Sequence, residues 1–309
     1  MKVFKKEYIK DGGTVLALGS FDALHTAHQK IIKKAVSYGK ENGLKSGVYQ
    51  FLTQPCEILN PKEFVGNVYS NAQKEVILEN LGVDFAYFED FTKEFIRLSP
   101  EAFIRELKEK FDVKCVVVGF HYRFGYKGEG DSELLKELGK KCGFETIIVG
   151  PVKKDGTLIS STLVRSYILS GEIKKANAFL GREYSILAEV KKDRGVGTSV
   201  LNIATANLNL EKNLVLPENG VYLTKVIYND KSYPAVTNVG TRPTFDLDEK
   251  TVETHILDFS EDIYGKKIEV LFLDQIRKEV KFQNSDQLKM QILSDIDKAR
   301  KMSGNNFLI

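Results

Sequence analysis

Between Thr14 and Pro151, short β-rich runs alternate with segments of helical period, and this alternation constrains the fold more than any other feature of the chain. Residues 14–18 are an apolar run ending in Gly19. Residues 26–39 set Ile31, Ile32, Ala35 and Val36 at helical spacing and stop near Gly39 and Gly43. A strand over 47–52, a helix over 71–81 and a strand over 85–88 follow. In the helix, Val76, Ile77, Asn80 and Leu81 step along one side. Ser99-Pro100-Glu101 opens the next helix: serine caps, proline suits the first helical position, and glutamate favours the positive end of the dipole. The strand over 114–119 contains Val116-Val117-Val118, the β-branched run of a strand buried on both faces. A helix over 131–142 and a strand over 145–149 complete the series. Such alternation implies right-handed βαβ units and a parallel sheet, with ligands at the carboxyl ends of its strands.

After Gly181 the period changes. Residues 185–190, 220–228, 232–239, 251–259 and 267–272 read as strands, several alternating apolar and polar, separated by turns such as Asn229-Asp230 and Tyr264-Gly265. Regular strands without intervening helices indicate an antiparallel barrel or sandwich. An amphipathic helix over 285–301 closes the chain, with Leu288, Ile292, Ile296 and Ala299 as its apolar stripe. The expected boundary is at Gly181-Arg182. The fold class is therefore α/β followed by all-β.

The turn after the first strand carries the chemistry. His25 and His28 are three apart at a helix start, so both side chains fall on one face. The unpaired N–H groups and the dipole of that helix end point to the same place. Two imidazoles there can donate to phosphate oxygens and offset charge growing at phosphorus during in-line attack.

At 309 residues the chain has room for two domains with separate cores. Its net charge of +3, without a dense Lys/Arg block, gives no nucleic-acid footprint. No apolar run approaches the roughly 20 residues of a membrane helix, and the first residues offer no stretch of signal-peptide length. Cys56, Cys115 and Cys142 are odd in number, scattered, and without metal-ligand spacing. That argues against a disulfide framework and fits a reducing compartment. The expectation is a cytoplasmic protein without nucleic-acid or membrane partners; the pattern leaves oligomeric state open.

Gly19-Ser20-Phe21-Asp22-Ala23-Leu24-His25-Thr26-Ala27-His28 resembles Gly-x-Phe-Asp-x-x-His-x-Gly-His, the pattern of the nucleotidylyltransferase superfamily, with Ala27 at its second glycine. Asn80-Leu81-Gly82-Val83-Asp84, the run from Phe95 to Phe103, and the run from Val116 to Gly125 are similar to the adenylyltransferase domain of bacterial FAD synthetases. Ser160-Ser161-Thr162-Leu163-Val164-Arg165 resembles the superfamily's Ser-Ser-Thr-x-x-Arg. Alone, such a segment is a good helix N-cap. The resemblance implies a Rossmann-like FMN adenylyltransferase domain over 1–182. Gly19, Phe21, Asp22, His25, His28, Ser160, Ser161, Thr162 and Arg165 would bind ATP phosphates, with Arg165 pairing as a fork. Phe51, Pro55, His121, Arg123 and Phe124 would bind flavin. The chain departs from the family at Thr53-Gln54, where Pro-His is usual, and at His121, where Asp or Asn is usual.

The second half resembles riboflavin kinase. Asn238-Val239-Gly240-Thr241-Arg242-Pro243-Thr244-Phe245 is similar to the family's Asn-x-Gly-x-Arg-Pro-Thr-Phe, and the run from Val252 to Phe259 to its Val-Glu-x-His-x-Leu-Asp-Phe. Glu253 and His255, two apart on a strand, share a face. The resemblance implies a riboflavin-kinase-like barrel over 183–309 with a terminal helix. Glu253 would be the general base on the ribityl 5′-hydroxyl, and Arg242 and Thr244 would contact riboflavin. Thr205-Ala206-Asn207 matches the kinase's Thr-Ala-Asn, whose hydroxyl and amide oxygens suit Mg²⁺; Gly197 would approach the ATP phosphates. Asn202-Ile203-Ala204 replaces the family's Gly-Phe-Pro.

The implied function is bifunctional: ATP-dependent phosphorylation of riboflavin to FMN, then adenylylation of FMN to FAD. His25, His28, Arg165 and Glu253 would be catalytic. Two alternatives stand beside it. One is a degenerate flavin-binding paralogue, argued from Ala27, Thr53, Gln54, Asn202 and Ala204; the other is a nucleotidyltransferase for a different substrate.

Overall fold

The computed structural model describes residues 1–5, 7, 8, 10, 12–192, 204–243 and 248–306, without the side chains of 242, 243, 248, 249 and 303–306. By packing, the chain divides into two compact units, Met1–Asn67 with Asn71–Ser161, and Val68–Ser70 with Thr162–Ile309.

In the first unit the elements run β1 (Lys2–Lys5), β2 (Thr14–Leu18), α1 (Thr26–Asn42), β3 (Lys45–Phe51), α2 (Pro55–Leu59), α3 (Asn71–Asn80), β4 (Phe85–Glu89), α4 (Lys93–Ile96), α5 (Pro100–Phe111), β5 (Val113–Gly119), α6 (Ser132–Lys141), β6 (Glu145–Val149) and a small hairpin, β7 (Lys153–Lys154) and β8 (Thr157–Leu158). Among the described residues, six parallel strands form one sheet in the order β1-β4-β3-β2-β5-β6. The strands alternate their side chains between two cores. Leu16, Leu18, Tyr49, Phe85 and Tyr87 meet Phe103, Ile104 and Leu107 of α5 and Leu135 of α6 on one face. Val15, Ala17, Val48, Ala86 and Phe88 meet Ile31, Ile32 and Ala35 of α1 and Leu78 of α3 on the other. Each fully buried Leu, Ile or Phe contributes about 1.5–3 kcal/mol, so burial on both faces explains the unbroken apolar runs of β2 and β5.

The strand order decides where a ligand goes. From β2 the chain moves outward through β3 and β4, then returns to place β5 on the other side of β2. The ends of β2 and β5 therefore flank the point where the winding reverses, the ligand crevice of open α/β sheets. The turn from Gly19 to His25 is there.

In the second unit, α7 (Ser161–Leu169) and α8 (Ile173–Leu180) lead into β9 (Tyr184–Val190), β10 (Ala206–Asn209), β11 (Gly220–Tyr228), β12 (Lys231–Pro243), β13 (Asp248–Ile256), β14 (Lys267–Lys278) and α9 (Ser285–Asn306). The strands close into an antiparallel barrel in the order β10-β13-β12-β11-β14-β9, which settles the choice between barrel and sandwich. Tyr184, Tyr222, Val270 and Phe272 are fully buried. Val221, Leu223, Val236 and Leu257 pack under Ala299 and Ile296 of α9. Asp295, almost wholly buried on α9, takes Arg277 Nε at 2.8 Å and so fixes the helix to β14.

Three sequence expectations need correction. α3 buries Gln73, Lys74 and Leu78, while Val76 is 52% exposed, so its inner face is rotated from the expected stripe. β12 and β14 run past the expected ends into polar residues, and β13 spans Asp248–Ile256 rather than 251–259. β1 and β10 were not expected, because four residues are too few to show a period.

Candidate functional site

The Gly19–His25 turn is built by close packing. A Cβ at Gly19 would come within 2.9 Å of the Phe21 ring, which is fully buried beneath it. Phe21 and Leu24 both take left-handed backbone, each with φ 44. His25 has extended backbone as the N-cap of α1, and its Nδ1 accepts from the His28 N–H at 3.2 Å. Nδ1 thus holds a lone pair, and the proton of the neutral ring is on Nε2. The two imidazoles do not simply share a helix face as expected. His25 stands just outside the helix, and its ring stacks on His28 at 3.7 Å and 24°. Phe21 meets His28 edge-on at 5.2 Å. No acidic residue occupies the first turn of α1, and the positive end of its dipole suits an anion.

Side chains from outside secure the turn. Gln54 Nε2 donates to the Ser20 carbonyl at 3.3 Å, and Gln29 Nε2 to the Leu24 carbonyl at 3.0 Å. Asp22 is buried, with Lys74 Nζ at 4.0 Å.

A cavity of about 390 Å³ opens against this turn. Gly19, Ser20, Phe21 and His28 form one wall, and Phe51, Pro55, His121, Arg123 and Phe124 are among its other lining residues. The structure thus brings together eight of the expected site residues from three separate stretches of chain. The remaining wall was missed: Tyr49, Phe91, Phe95, Phe103 and Tyr122 also line it. Phe51 stands edge-on to Phe91 at 5.1 Å and to Phe95 at 5.4 Å, and Tyr122 stacks parallel to Phe124 at 5.9 Å. Tyr49 and Phe51, two apart on β3, were the available signal. Tyr49 donates to Glu89 Oε2 at 3.0 Å, and burial holds its phenol well above the ordinary value. The volume and the aromatic lining suit a planar ring system with a polar tail toward the histidines.

Asp22 does not line this cavity; its carboxylate faces Lys74 instead. Ser161 and Thr162 open α7, and Arg165 is one turn on from them, on the same face; Ser160 precedes the helix. None of these four lines either cavity described here.

On the barrel, a second cavity of about 200 Å³ is lined by Val190, Ala204, Thr205, Thr254, Phe259 and Tyr264, among others. Thr205 Oγ1 is buried there and has no hydrogen-bond partner among the described residues. Asn207 pairs directly with Glu253 across the β10–β13 ladder. Val252, Thr254 and Ile256 point into the barrel, so Glu253 and His255 face outward together, both half-buried. His255 Nδ1 donates to the Ala204 carbonyl at 2.8 Å and ties β13 to the segment carrying Thr205. Gly197 and Thr244 are outside the described residues, as is the Arg242 side chain; the Arg242 backbone pairs with Glu249.

Among the described residues, no three His, Cys, Asp or Glu side chains gather to hold a metal. An orphaned hydroxyl beside a cavity, with an amide two residues on, fits instead a hard cation that keeps waters and takes its anionic ligands from a substrate. No described helix is long and apolar enough to cross a membrane.

The family model for FAD synthetase matches residues 8–163, and that for riboflavin kinase matches 180–303. The bifunctional riboflavin kinase/FMN adenylyltransferase of Escherichia coli K12 is 33% identical over 294 residues, covering 94% of this chain and 93% of the relative. The protein of the same description from Bacillus subtilis is 30% identical, covering 98% and 96%. A crystal structure from Streptococcus pneumoniae, described as a macrolide-efflux protein, superimposes with a TM-score of 0.88 at 31% identity, over 97% of this chain and 99% of its own. The chain belongs to the bifunctional riboflavin kinase/FMN adenylyltransferase family.

Proposed function

We infer that this chain makes FMN from riboflavin and ATP, and FAD from FMN and ATP with release of pyrophosphate. The adenylyl transfer is assigned to residues 1–182 and the kinase to 183–309. One observation supports the first assignment: a single cavity is lined both by aromatic side chains for a flavin ring and by His28, which stacks on the N-cap His25 at a helix N-terminus suited to phosphates. His25 and His28 donate to the α-phosphate as the FMN phosphate attacks it, and pyrophosphate leaves. Fixed donors aimed at developing charge are commonly the largest catalytic contribution in such sites. Arg165, with Ser160, Ser161 and Thr162, holds the departing phosphates.

In the kinase, Glu253 takes the proton of the ribityl 5′-hydroxyl as that oxygen attacks the γ-phosphate, a role worth roughly 10²–10⁴ in rate. Thr205 and Asn207 would hold Mg²⁺, which offsets the charge of the transferring phosphoryl group when bound. The three free thiols, Cys56, Cys115 and Cys142, support a cytoplasmic location.

Incubation of the purified chain with riboflavin, ATP and Mg²⁺, followed by chromatography, should show FMN first and then FAD. FMN supplied directly should give FAD without the kinase step. Neither product after long incubation would overturn the reading in favour of a flavin-binding paralogue.

A further inference from the structure

α3 turns Lys74 into the protein interior, leaving 2% of its side chain exposed, while Val76 on the same helix is mostly outside. An ammonium group so placed is strongly destabilising unless it is paired. The acid facing it is Asp22, with 1% of its side chain exposed and Oδ1 at 4.0 Å. Asp22 is the third residue before His25, inside the phosphate turn.

That turn needs external support. Phe21 and Leu24, on either side of Asp22, both hold φ of 44 without being glycine. Each such residue is strained and persists only where its surroundings over-determine it. Gln54 and Gln29 hold two carbonyls of the turn. Lys74 differs from them in reaching a charged side chain between the two left-handed residues, from a helix that follows the turn by some fifty residues. A relaxed turn would shift the N-cap His25 and carry the His28 stacked on it away from the cavity wall. Displacements of about 1 Å at reacting groups can cost on the order of 10²-fold in rate.

We propose that Lys74 is a positioning residue for adenylyl transfer, holding the histidine pair in place through Asp22, an inference that rests on the family reading above. Lys74 touches no substrate in this scheme. Its loss should slow chemistry while leaving the flavin wall of the cavity intact.

The test uses the full chain with Lys74→Met, FMN and ATP saturating, at a temperature where circular dichroism shows it folded. The expected result is a kcat for FAD formation about 100-fold lower, with KM for FMN within about twofold of the unsubstituted chain. Riboflavin kinase turnover in the same sample should be unchanged. Lys74→Arg, which keeps the charge, should recover most of the rate. A folded Lys74→Met chain with kcat within about threefold of the unsubstituted one overturns the proposal; so does an equal loss in Lys74→Arg and Lys74→Met. Should Lys74→Met not fold, Asp22→Asn/Lys74→Met removes both buried charges and is read the same way. Folded with kcat reduced and KM for ATP kept, it supports the proposal; folded with kcat kept, it overturns it. Absence of FAD formation by the unsubstituted chain overturns the family reading itself, and the role of Lys74 with it.

Discussion

Gln50 is fully buried on β3, and neither oxygen nor nitrogen of its amide has a partner among the described residues. A buried polar group left unpaired costs about 1–3 kcal/mol. Gln50→Leu keeps most of the volume and removes the cost, so the first unit should gain about 1–3 kcal/mol in denaturant unfolding; a loss would mean the amide is satisfied after all. Gly19→Ala acts in the opposite sense, on function. Its Cβ would meet the Phe21 ring at 2.9 Å, and that ring abuts His28. FAD formation should slow by on the order of 10-fold to 100-fold while riboflavin kinase turnover is unaffected; unchanged FAD kinetics would show that Phe21 yields without moving the histidine. At this scale the sequence was legible where spacing brings side chains together, as at His25 and His28. It was not legible at Lys74, since a lysine on a helix reads as solvated until the opposing Asp22 is seen.

At the scale of elements, the barrel interior is joined by a ladder of hydroxyls. Thr237 on β12 bonds Thr224 on β11 at 2.8 Å and Thr254 on β13 at 3.0 Å, and all three side chains are inaccessible. Thr237→Val has the same shape but strands both neighbours, at about 1–3 kcal/mol for each hydroxyl left unsatisfied. Thr237→Ser keeps the bonds and loses one methyl, at about 1 kcal/mol. Thermal unfolding should therefore rank Ser well above Val; equal losses would refute the ladder. These threonines alternate with outward residues, so their inward direction was readable from the strand period, but which strands would meet was not. Register depends on closure of the barrel, and the closing strand β10 contributes only Ala206–Asn209. The same reasoning explains the ends of β12 and β14. Their last residues are polar and look like turn, yet each pairs with a neighbour in the closed ladder. Helix ends were easier, because capping is local: Ser99 does accept from Ala102 N–H.

At the scale of the whole molecule, the two units have separate cores, but alkaline pH should weaken both by one mechanism. In the first, burial pushes the Cys115 thiol up to about 12 from 9.0, and the hydrogen bond to Glu145, ahead of burial, pushes Tyr38 up to about 12 from 10.0. In the barrel, burial pushes Tyr222 up to about 12 from 10.0. Each group is neutral when protonated, and folding favours that form. The unfolded chain therefore releases protons from about pH 9 upward while the folded chain retains them, so the folded state binds more protons and stability falls as pH rises. The contribution is complete below pH 9 and is lost progressively toward pH 12. For Cys115, whose side chain is inaccessible, the loss should reach about 2 kcal/mol by roughly pH 10.5, at about 1.4 kcal/mol per pH unit above its ordinary value. Urea unfolding at pH 8 and at pH 10.5 measures this directly. Cys115→Ala lowers stability at both pH values through lost packing, yet it should flatten the pH slope of the first unit and leave that of the barrel unchanged. A slope unaltered by Cys115→Ala would place the alkaline sensitivity elsewhere, in groups whose protons the fold does not protect.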